Sequence, residues 1–229
     1  MPACGAAPTA PSRKVAMDMW QWIVAGRTMM IPIGLASLLG LAVIIERLVV
    51  LRRGRIIVPE IAAAVDTLDS GRDLSVAYAL CQGSPGPFAN IVKAGLDHAD
   101  NDWTVIRDVL QEAGRREATL LTRRLGVLET VAAVSPLLGL LGTVLGMIRI
   151  FAAVSNAGIG DPEALSGGIS EAMVTTAAGL FIGIPALVAY NWLNARADRL
   201  IFELETYASR LLDSLRRRRE AADAAAGRA

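Results

Sequence analysis

The chain has 229 residues, of which 53% are hydrophobic and 20% charged, and its formal net charge at pH 7 is +1. A mean hydropathy of +0.44 favours a bundle of membrane spans with polar extensions over a soluble domain. The charges cluster beside apolar runs, a pattern typical of membrane flanks and not of a nucleic-acid surface. Cys4, Cys81 and His98 do not have the spacing of a disulfide framework or of metal ligands, so neither kind of site is expected.

The first apolar run is predicted to be a retained transmembrane helix over residues 29–51. It exceeds the about 7 to 15 apolar residues of a signal-peptide core, and Glu46 and Arg47 occupy its end, where small residues would mark a cleavage site. Residues 1–28, which contain Pro2, Pro8 and Pro11, form an N-terminal tail that is expected in the periplasm.

The segment over residues 52–124 is predicted to be cytoplasmic and helical, because turn residues punctuate it and no alternating apolar pattern occurs. Pro59 suits the first turn of a helix, and the cluster of Gly, Ser and Pro over residues 83–87 requires a break. Asp102 is a suitable N-cap, and the next strong breaker is Pro136. One helix is therefore expected to run from the cytoplasm into span two. The other helices are expected over residues 59–70, 73–82 and 88–99.

Spans two and three are predicted over residues 125–151 and 169–193, since each segment can cross a hydrocarbon core of roughly 30 Å. The connection over residues 152–168 contains Asp161 and Glu163 but no Lys or Arg, so it is expected in the periplasm. Residues 194–229 are expected to form a cytoplasmic C-terminal helix and tail. The predicted class is an all-α integral membrane protein in which two of three transmembrane helices extend into long cytoplasmic helices.

Spans two and three each place small and hydroxyl-bearing residues on one side at helical spacing. Glycines four residues apart let helices approach closely in lipid, and hydroxyls can both donate and accept hydrogen bonds. The two helices are therefore predicted to line something together. The residues on these sides are Ser135, Gly139, Gly142, Thr143, Gly146 and Arg149 in span two, and Glu171, Ala172, Thr175, Thr176, Gly179, Gly183, Ala186 and Tyr190 in span three.

Two features of these spans leave alternatives open. Pro136 and Pro185 each remove a backbone donor and kink a helix, which serves either function or packing alone. A threonine hydroxyl in a membrane helix either relays a proton or bonds a carbonyl one turn back.

The stretch SPLLGLLGTVLGM at residues 135–147 resembles the second-span signature of the MotA/TolQ/ExbB proton channel family. Residues 169–180, ISEAMVTTAAGL, followed by IPALVAYN at 184–191, resemble its third span. Glu46-Arg47-Leu48 and the basic residues after it resemble the end of its first span. The resemblance covers spans two and three in order, covers residues 55–112 loosely and does not cover the tails.

The resemblance implies a subunit of a bacterial inner-membrane motor that converts proton-motive force into mechanical work, without covalent chemistry, cofactor or metal. Five copies would surround a dimer of an ExbD-like or TolR-like single-span partner whose membrane aspartate carries the proton, and a TonB-like or TolA-like protein would transmit the work. The family's channel threonines fall on Thr143 and Thr176, its glutamate on Glu171 and its proline on Pro185. With Thr175, the first three form the predicted proton path. The glycines at 139, 142, 146, 179 and 183, with Pro136 and Pro185, are assigned to helix packing and kinks.

The ExbB branch, which energises TonB-dependent transport across the outer membrane, is preferred by overall similarity around residues 169–191. The alternatives are a TolQ-like subunit of the Tol-Pal envelope-integrity system and a non-conducting membrane scaffold. No acidic residue lies in the middle of a span, so a proton relay would need a carboxylate from a partner.

Arg149, near the outer end of span two, departs from the family pattern. The preferred interpretation is a side chain that snorkels to the membrane interface. An ion pair with Glu171 or Asp161 is the alternative.

Overall fold

The computed structural model describes residues 27–68, 74–157 and 162–226, which form helices joined by short turns. Most of the N-terminal tail, residues 1–26, lies outside the described residues, as does Asp161. The helices are α1 (Arg27–Val50), α2 (Arg53–Ile56), α3 (Pro59–Thr67), α4 (Leu74–Gly83), α5 (Pro87–Leu96), α6 (Trp103–Thr122), α7 (Leu125–Ala157) and α8 (Pro162–Ala226).

Three helical stretches of the described chain are long and apolar enough to cross a membrane. They are Met29–Val50, Trp103–Ala152, and Ser166–Ala221. The predicted all-α class with three spans is therefore confirmed. Helices α7 and α8 also extend into the connection predicted over residues 152–168, because α7 continues to Ala157 and α8 begins at Pro162.

Proline and glycine mark several helix ends. Pro59 is the first residue of α3, as predicted, whereas α5 begins at Pro87, one residue before the predicted start, and ends at Leu96. At both prolines the missing N–H costs no helical hydrogen bond. Residues 84–86 are not helical and separate α4 from α5. Helix α8 runs without interruption through Pro185 to Ala226, so span three continues into the predicted C-terminal helix, whereas the four-residue helix α2 was not predicted.

The single helix predicted from Asp102 into span two is wrong at one point. Helix α6 ends at Thr122 and α7 begins at Leu125, with residues 123–124 in a turn. The Val127 amide donates to the Arg124 carbonyl at 3.3 Å, which closes a turn shorter than an α-helical one.

A side chain from α1 contacts the end of α6 beside this break. Arg47 is only 5% exposed, and its Nη1 donates to the Leu121 carbonyl at 3.1 Å. The last carbonyls of a helix need partners from outside its own ladder, and Arg47 supplies one at the end of α6. No glycine or proline marks residues 121–125, so local sequence gave no sign of the break.

The chain divides into two compact units. The first contains described residues 27–40, 130–157 and 162–187, and the second contains 41–68, 74–129 and 188–226.

The second unit has an apolar core in which α5, α6 and the C-terminal part of α8 pack together. Phe88 is fully buried, and its ring centroid lies 5.1 Å from that of Tyr207. A Cβ at Gly95 would lie 2.9 Å from Leu110 Cδ2 and 3.0 Å from Leu211 Cδ2, so a larger residue there would displace the core. Burial of apolar area is the main stabilising contribution in such a unit.

Polar contacts add anchors along α8 in the same unit. Arg196 Nε donates to the Leu51 carbonyl at 2.7 Å, and Arg53 Nε lies 2.8 Å from Glu203 Oε2. The Glu203 carboxylate raises the pKa of Arg53 through this hydrogen bond. Exposed ion pairs contribute little to stability, so these contacts fix positions more than they hold the unit together.

The first unit depends on close packing between α7 and α8. A Cβ at Gly139 would lie 2.9 Å from the Thr175 carbonyl oxygen, and one at Gly179 would lie 2.5 Å from the Ser135 carbonyl oxygen. The neighbouring atoms are backbone atoms, which cannot rotate away as a side chain can. Glycine at these positions therefore lets the two helices approach more closely than any other residue would, as the small-residue pattern predicts.

The packing predicts different effects for two glycine substitutions in membrane helices. Gly179→Ala should destabilise the chain by about 1–3 kcal/mol, because the added methyl forces a backbone shift. Gly34→Ala is the matched control: no atom lies within 4 Å of a Cβ there, so it should be neutral or slightly stabilising. Thermal unfolding of the detergent-solubilised variants measures the difference, and equal midpoints would contradict the close packing.

Cys81 offers a test of the second unit. Its side chain is buried, and burial raises the pKa of the Cys81 thiol. A raised thiol pKa leaves less thiolate at neutral pH, so alkylation in a Cys4→Ser background should be at least about tenfold slower than in the unfolded chain and should rise only at more alkaline pH. Rapid alkylation of the folded protein at pH 7 would show that α4 does not pack as described.

Candidate functional site

The hydroxyl-bearing residues of α7 and α8 lie along the packed face between these two helices. Ser135 is fully buried and Thr175 is 2% exposed, whereas Thr143 and Thr176 are partly exposed. The predicted threonines therefore fall into two groups. Thr175 is enclosed between helices of its own chain, while Thr143 and Thr176 keep surface that other groups can reach.

Most of these hydroxyls bond within their own helix. Thr143 Oγ1 donates to the Leu140 carbonyl at 2.6 Å, and Thr175 Oγ1 donates to the Ala172 carbonyl at 2.8 Å. Ser135 Oγ makes the same kind of bond, to Val131 at 2.6 Å. These contacts match the alternative of bonding one turn back.

Thr176 differs because its hydroxyl crosses between helices. Its Oγ1 donates to the Gly139 carbonyl at 3.2 Å, and its Cα would lie 3.0 Å from a Cβ on Gly139. The missing Gly139 side chain is what lets the hydroxyl reach this carbonyl. Among the three predicted path threonines, Thr176 is therefore the one whose hydroxyl bonds to the other span.

Glycine also places Thr175. A Cβ at Gly142 would lie 2.5 Å from Thr175 Oγ1, so any larger residue at 142 would collide with the threonine side chain. Gly146 packs in the same way one turn further along α7, where its Cβ would lie 3.0 Å from Ala172 Cβ. These contacts place the predicted packing glycines of span two against α8.

The two prolines have different surroundings. Pro136 packs against Gly183, where a Cβ would lie 2.7 Å from the ring carbons, and 3.2 Å from the Ala132 carbonyl oxygen. Pro136 has no N–H to offer that carbonyl, and the missing side chain of Gly183 leaves room for the proline ring. Pro185 lies within α8 and is exposed.

Arg149 and Glu171 form an ion pair at the far end of the same face. Arg149 Nη1 lies 2.8 Å from Glu171 Oε1, with 50% of the arginine side chain and 21% of the glutamate side chain exposed. The ion pair, which was the alternative to a snorkelling side chain, is thus present, and Glu171 is the partner. The other candidate partner, Asp161, lies outside the described residues.

The other carboxylates near the span ends also have partners. Glu46 pairs with Arg124, and the Tyr190 hydroxyl donates to the Glu129 carboxylate. Sequence reasoning missed both contacts, because nothing local to Glu46 or Glu129 indicates which distant residue it meets. The part of α7 that follows Glu129 contains hydroxyls and backbone carbonyls but no acidic side chain.

The chain is similar to a known family of membrane proteins. The sequence pattern of the MotA/TolQ/ExbB proton channel family matches residues 84–206, which include α7 through the middle of α8 and all the predicted site residues. The match covers more than half of the chain.

Individual relatives belong to two branches. The chain is 32% identical over 168 residues to the Tol-Pal system protein TolQ of Pseudomonas aeruginosa, an alignment that covers 67% of this chain and 73% of TolQ. It is 36% identical over 104 residues to the biopolymer transport protein ExbB of Xanthomonas campestris pv. campestris, covering 45% and 41% of the two chains. It is also 46% identical over 82 residues to the biopolymer transport protein exbB1 of Vibrio cholerae, covering 35% and 36%. With three candidate spans and these relatives, this multi-pass membrane protein belongs to the MotA/TolQ/ExbB proton channel family.

Proposed function

We propose that this chain is a stator subunit of an inner-membrane proton channel in a bacterial envelope. With an ExbD-like single-span partner it converts proton-motive force into mechanical work that energises TonB-dependent transport across the outer membrane. The observation that carries the proposal is the pair Thr143 and Thr176, which keep accessible surface beside a tightly packed helix pair. The subunit performs no covalent chemistry.

A partner protein is needed because the hydroxyls cannot store charge. A hydroxyl can pass a proton by accepting one and donating another, but it does not store charge at neutral pH. A carrier needs a group that is protonated on one side and ionised on the other, and an aspartate in the partner's span has that chemistry. The hydroxyl-bearing face of α7 and α8 is therefore half of a site.

The hydrogen bonds of the threonines are compatible with this role. Both donate to backbone carbonyls, so each hydroxyl oxygen still has lone pairs that can accept a proton from a neighbouring acid. Each proton that crosses the membrane supplies about 2.3 kcal/mol per 100 mV, so a substantial mechanical step requires several protons. Several copies of this chain around a partner dimer would provide the repeated sites.

The choice between the ExbB and TolQ branches has support on both sides. The local alignments with ExbB proteins reach 36% and 46% identity, and one with a TolQ protein reaches 44% over 88 residues, so local identity does not separate the branches. The resemblance around residues 169–191 is the ground on which the ExbB branch is preferred. The alignment with TolQ is longer and supports a role in the Tol-Pal system as the second candidate. The third protein recovered with the complex, TonB-like or TolA-like, distinguishes the two.

Replacing both accessible threonines tests the proton path. Thr143→Val combined with Thr176→Val should lower proton flux at least about tenfold, because an isosteric methyl can neither accept nor donate a proton. The complex is extracted from its native membrane in mild detergent and reconstituted into liposomes, and a pH-sensitive dye reports uptake under an imposed potential.

Thr206→Val is the matched control for this variant. Thr206 also donates to a carbonyl one turn back, that of Phe202 at 2.9 Å, but it lies beyond the site on α8. It should leave flux unchanged. Intact assembly with full flux in the double variant would contradict the proton path. A complex that contains no single-span protein with a membrane aspartate would favour the scaffold.

A further inference from the structure

The Arg149–Glu171 ion pair joins α7 to α8 at a point where the backbones are already held close. Gly146, one turn before Arg149, packs against Ala172, the residue after Glu171. On the other side, Gly168 faces Ile150, whose side chain occupies the space of its missing Cβ. The pair thus lies between two close contacts of the same two helices, which limits how far either side chain can move from the other.

The charges of the pair compensate one another. An unpaired ionised side chain in a membrane span is costly, and such residues pair with one another or face a polar interior. Arg149 Nη1 lies 2.8 Å from Glu171 Oε1, so each side chain supplies the counter-charge of the other at this place.

The family resemblance and the pair lead to different roles for Glu171. A residue on the proton path must gain and lose a proton in each cycle. A carboxylate that is tied to a permanent cation serves better as a fixed anion, because protonation would leave Arg149 uncompensated. The partly buried position of Glu171, with 21% of its side chain exposed, also leaves Arg149 as the more accessible member of the pair.

We propose that Arg149 is a positioning residue that holds Glu171 as the fixed anion of a clasp between spans two and three, so that Glu171 is not a proton carrier in this chain. The clasp depends only on the contacts of the first unit. The statement about proton transfer rests on the proposed function.

Neutralising the pair one residue at a time, and then together, separates a clasp from a carrier. Arg149→Gln and Glu171→Gln each leave one charge without its partner. The double variant leaves none, and its two amides can still hydrogen-bond. If the pair is a clasp, each single variant should lower the thermal stability of the complex, and the double variant should recover most of the loss.

Proton flux per assembled complex supplies the second readout. With a clasp, adding Arg149→Gln to Glu171→Gln should restore most of the flux that Glu171→Gln loses, because it removes the unpaired cation. With a carrier, Glu171→Gln and the double variant should both lose flux at least about tenfold, whatever their stability. Additive stability losses in the double variant, or loss of its flux while assembly is intact, would overturn the proposal.

The threonine variant keeps this result separate from the proposed function. If Thr143→Val with Thr176→Val leaves flux intact, or the parent complex shows no flux, the proton path fails on its own. The clasp then stands or falls on the stability measurements alone. A drop in stability that only Glu171→Gln causes would show that Arg149 does not hold the carboxylate.

Discussion

The close approach of α7 and α8 is the constraint on which the candidate site depends. Gly139 and Gly179 bring backbone atoms of the two helices so near that a single added carbon would collide with a carbonyl oxygen. In lipid, helices gain no hydrophobic driving force from packing together, so van der Waals contact between α7 and α8 must hold them together. Thr175 packs against Gly142, and Thr176 donates to the Gly139 carbonyl. The Arg149–Glu171 pair also joins the two helices, so the positions of these side chains depend on how closely the glycines let α7 and α8 approach.

The close approach of α7 and α8 also gives different exposure to residues that lie on the same side of a helix. Thr175 and Thr176 are adjacent, and an arc of small and polar residues includes both, yet one is enclosed and the other is partly accessible. Neighbouring residues of a helix differ by 100° in direction, which is enough to place one against α7 and the other at the edge of the contact. Helical periodicity predicted the shared face from the sequence. It could not predict which threonine would be buried, because that depends on where the second helix lies.

Local features were predictable and distant ones were not. The three spans, the break after Gly83 and the starts at Pro59 and Pro87 follow from apolar length and from backbone chemistry within a few residues. At the break between α6 and α7, the Leu121 carbonyl accepts a hydrogen bond from Arg47, a side chain 74 residues away in the sequence. Glu46 and Arg124, which form an ion pair, are likewise far apart in the sequence. For Arg149 the sequence narrowed the partner to two carboxylates, and only the packing of α7 on α8 selected Glu171.

The carboxylates near the span ends sharpen the case for a partner acid. Glu46 is engaged by Arg124, and Glu171 by Arg149, so each of these anions already faces a permanent cation. A carboxylate that carries protons must exist in both forms during each cycle, and a neighbouring guanidinium opposes the neutral form. The remaining groups along the accessible part of the contact between α7 and α8 are hydroxyls and carbonyls, which can transfer a proton but not hold one. If the proposed proton path holds and Glu171 belongs to the clasp, this chain would supply the path and the mechanical frame, and a partner's carboxylate would be the group that is charged and discharged in each cycle.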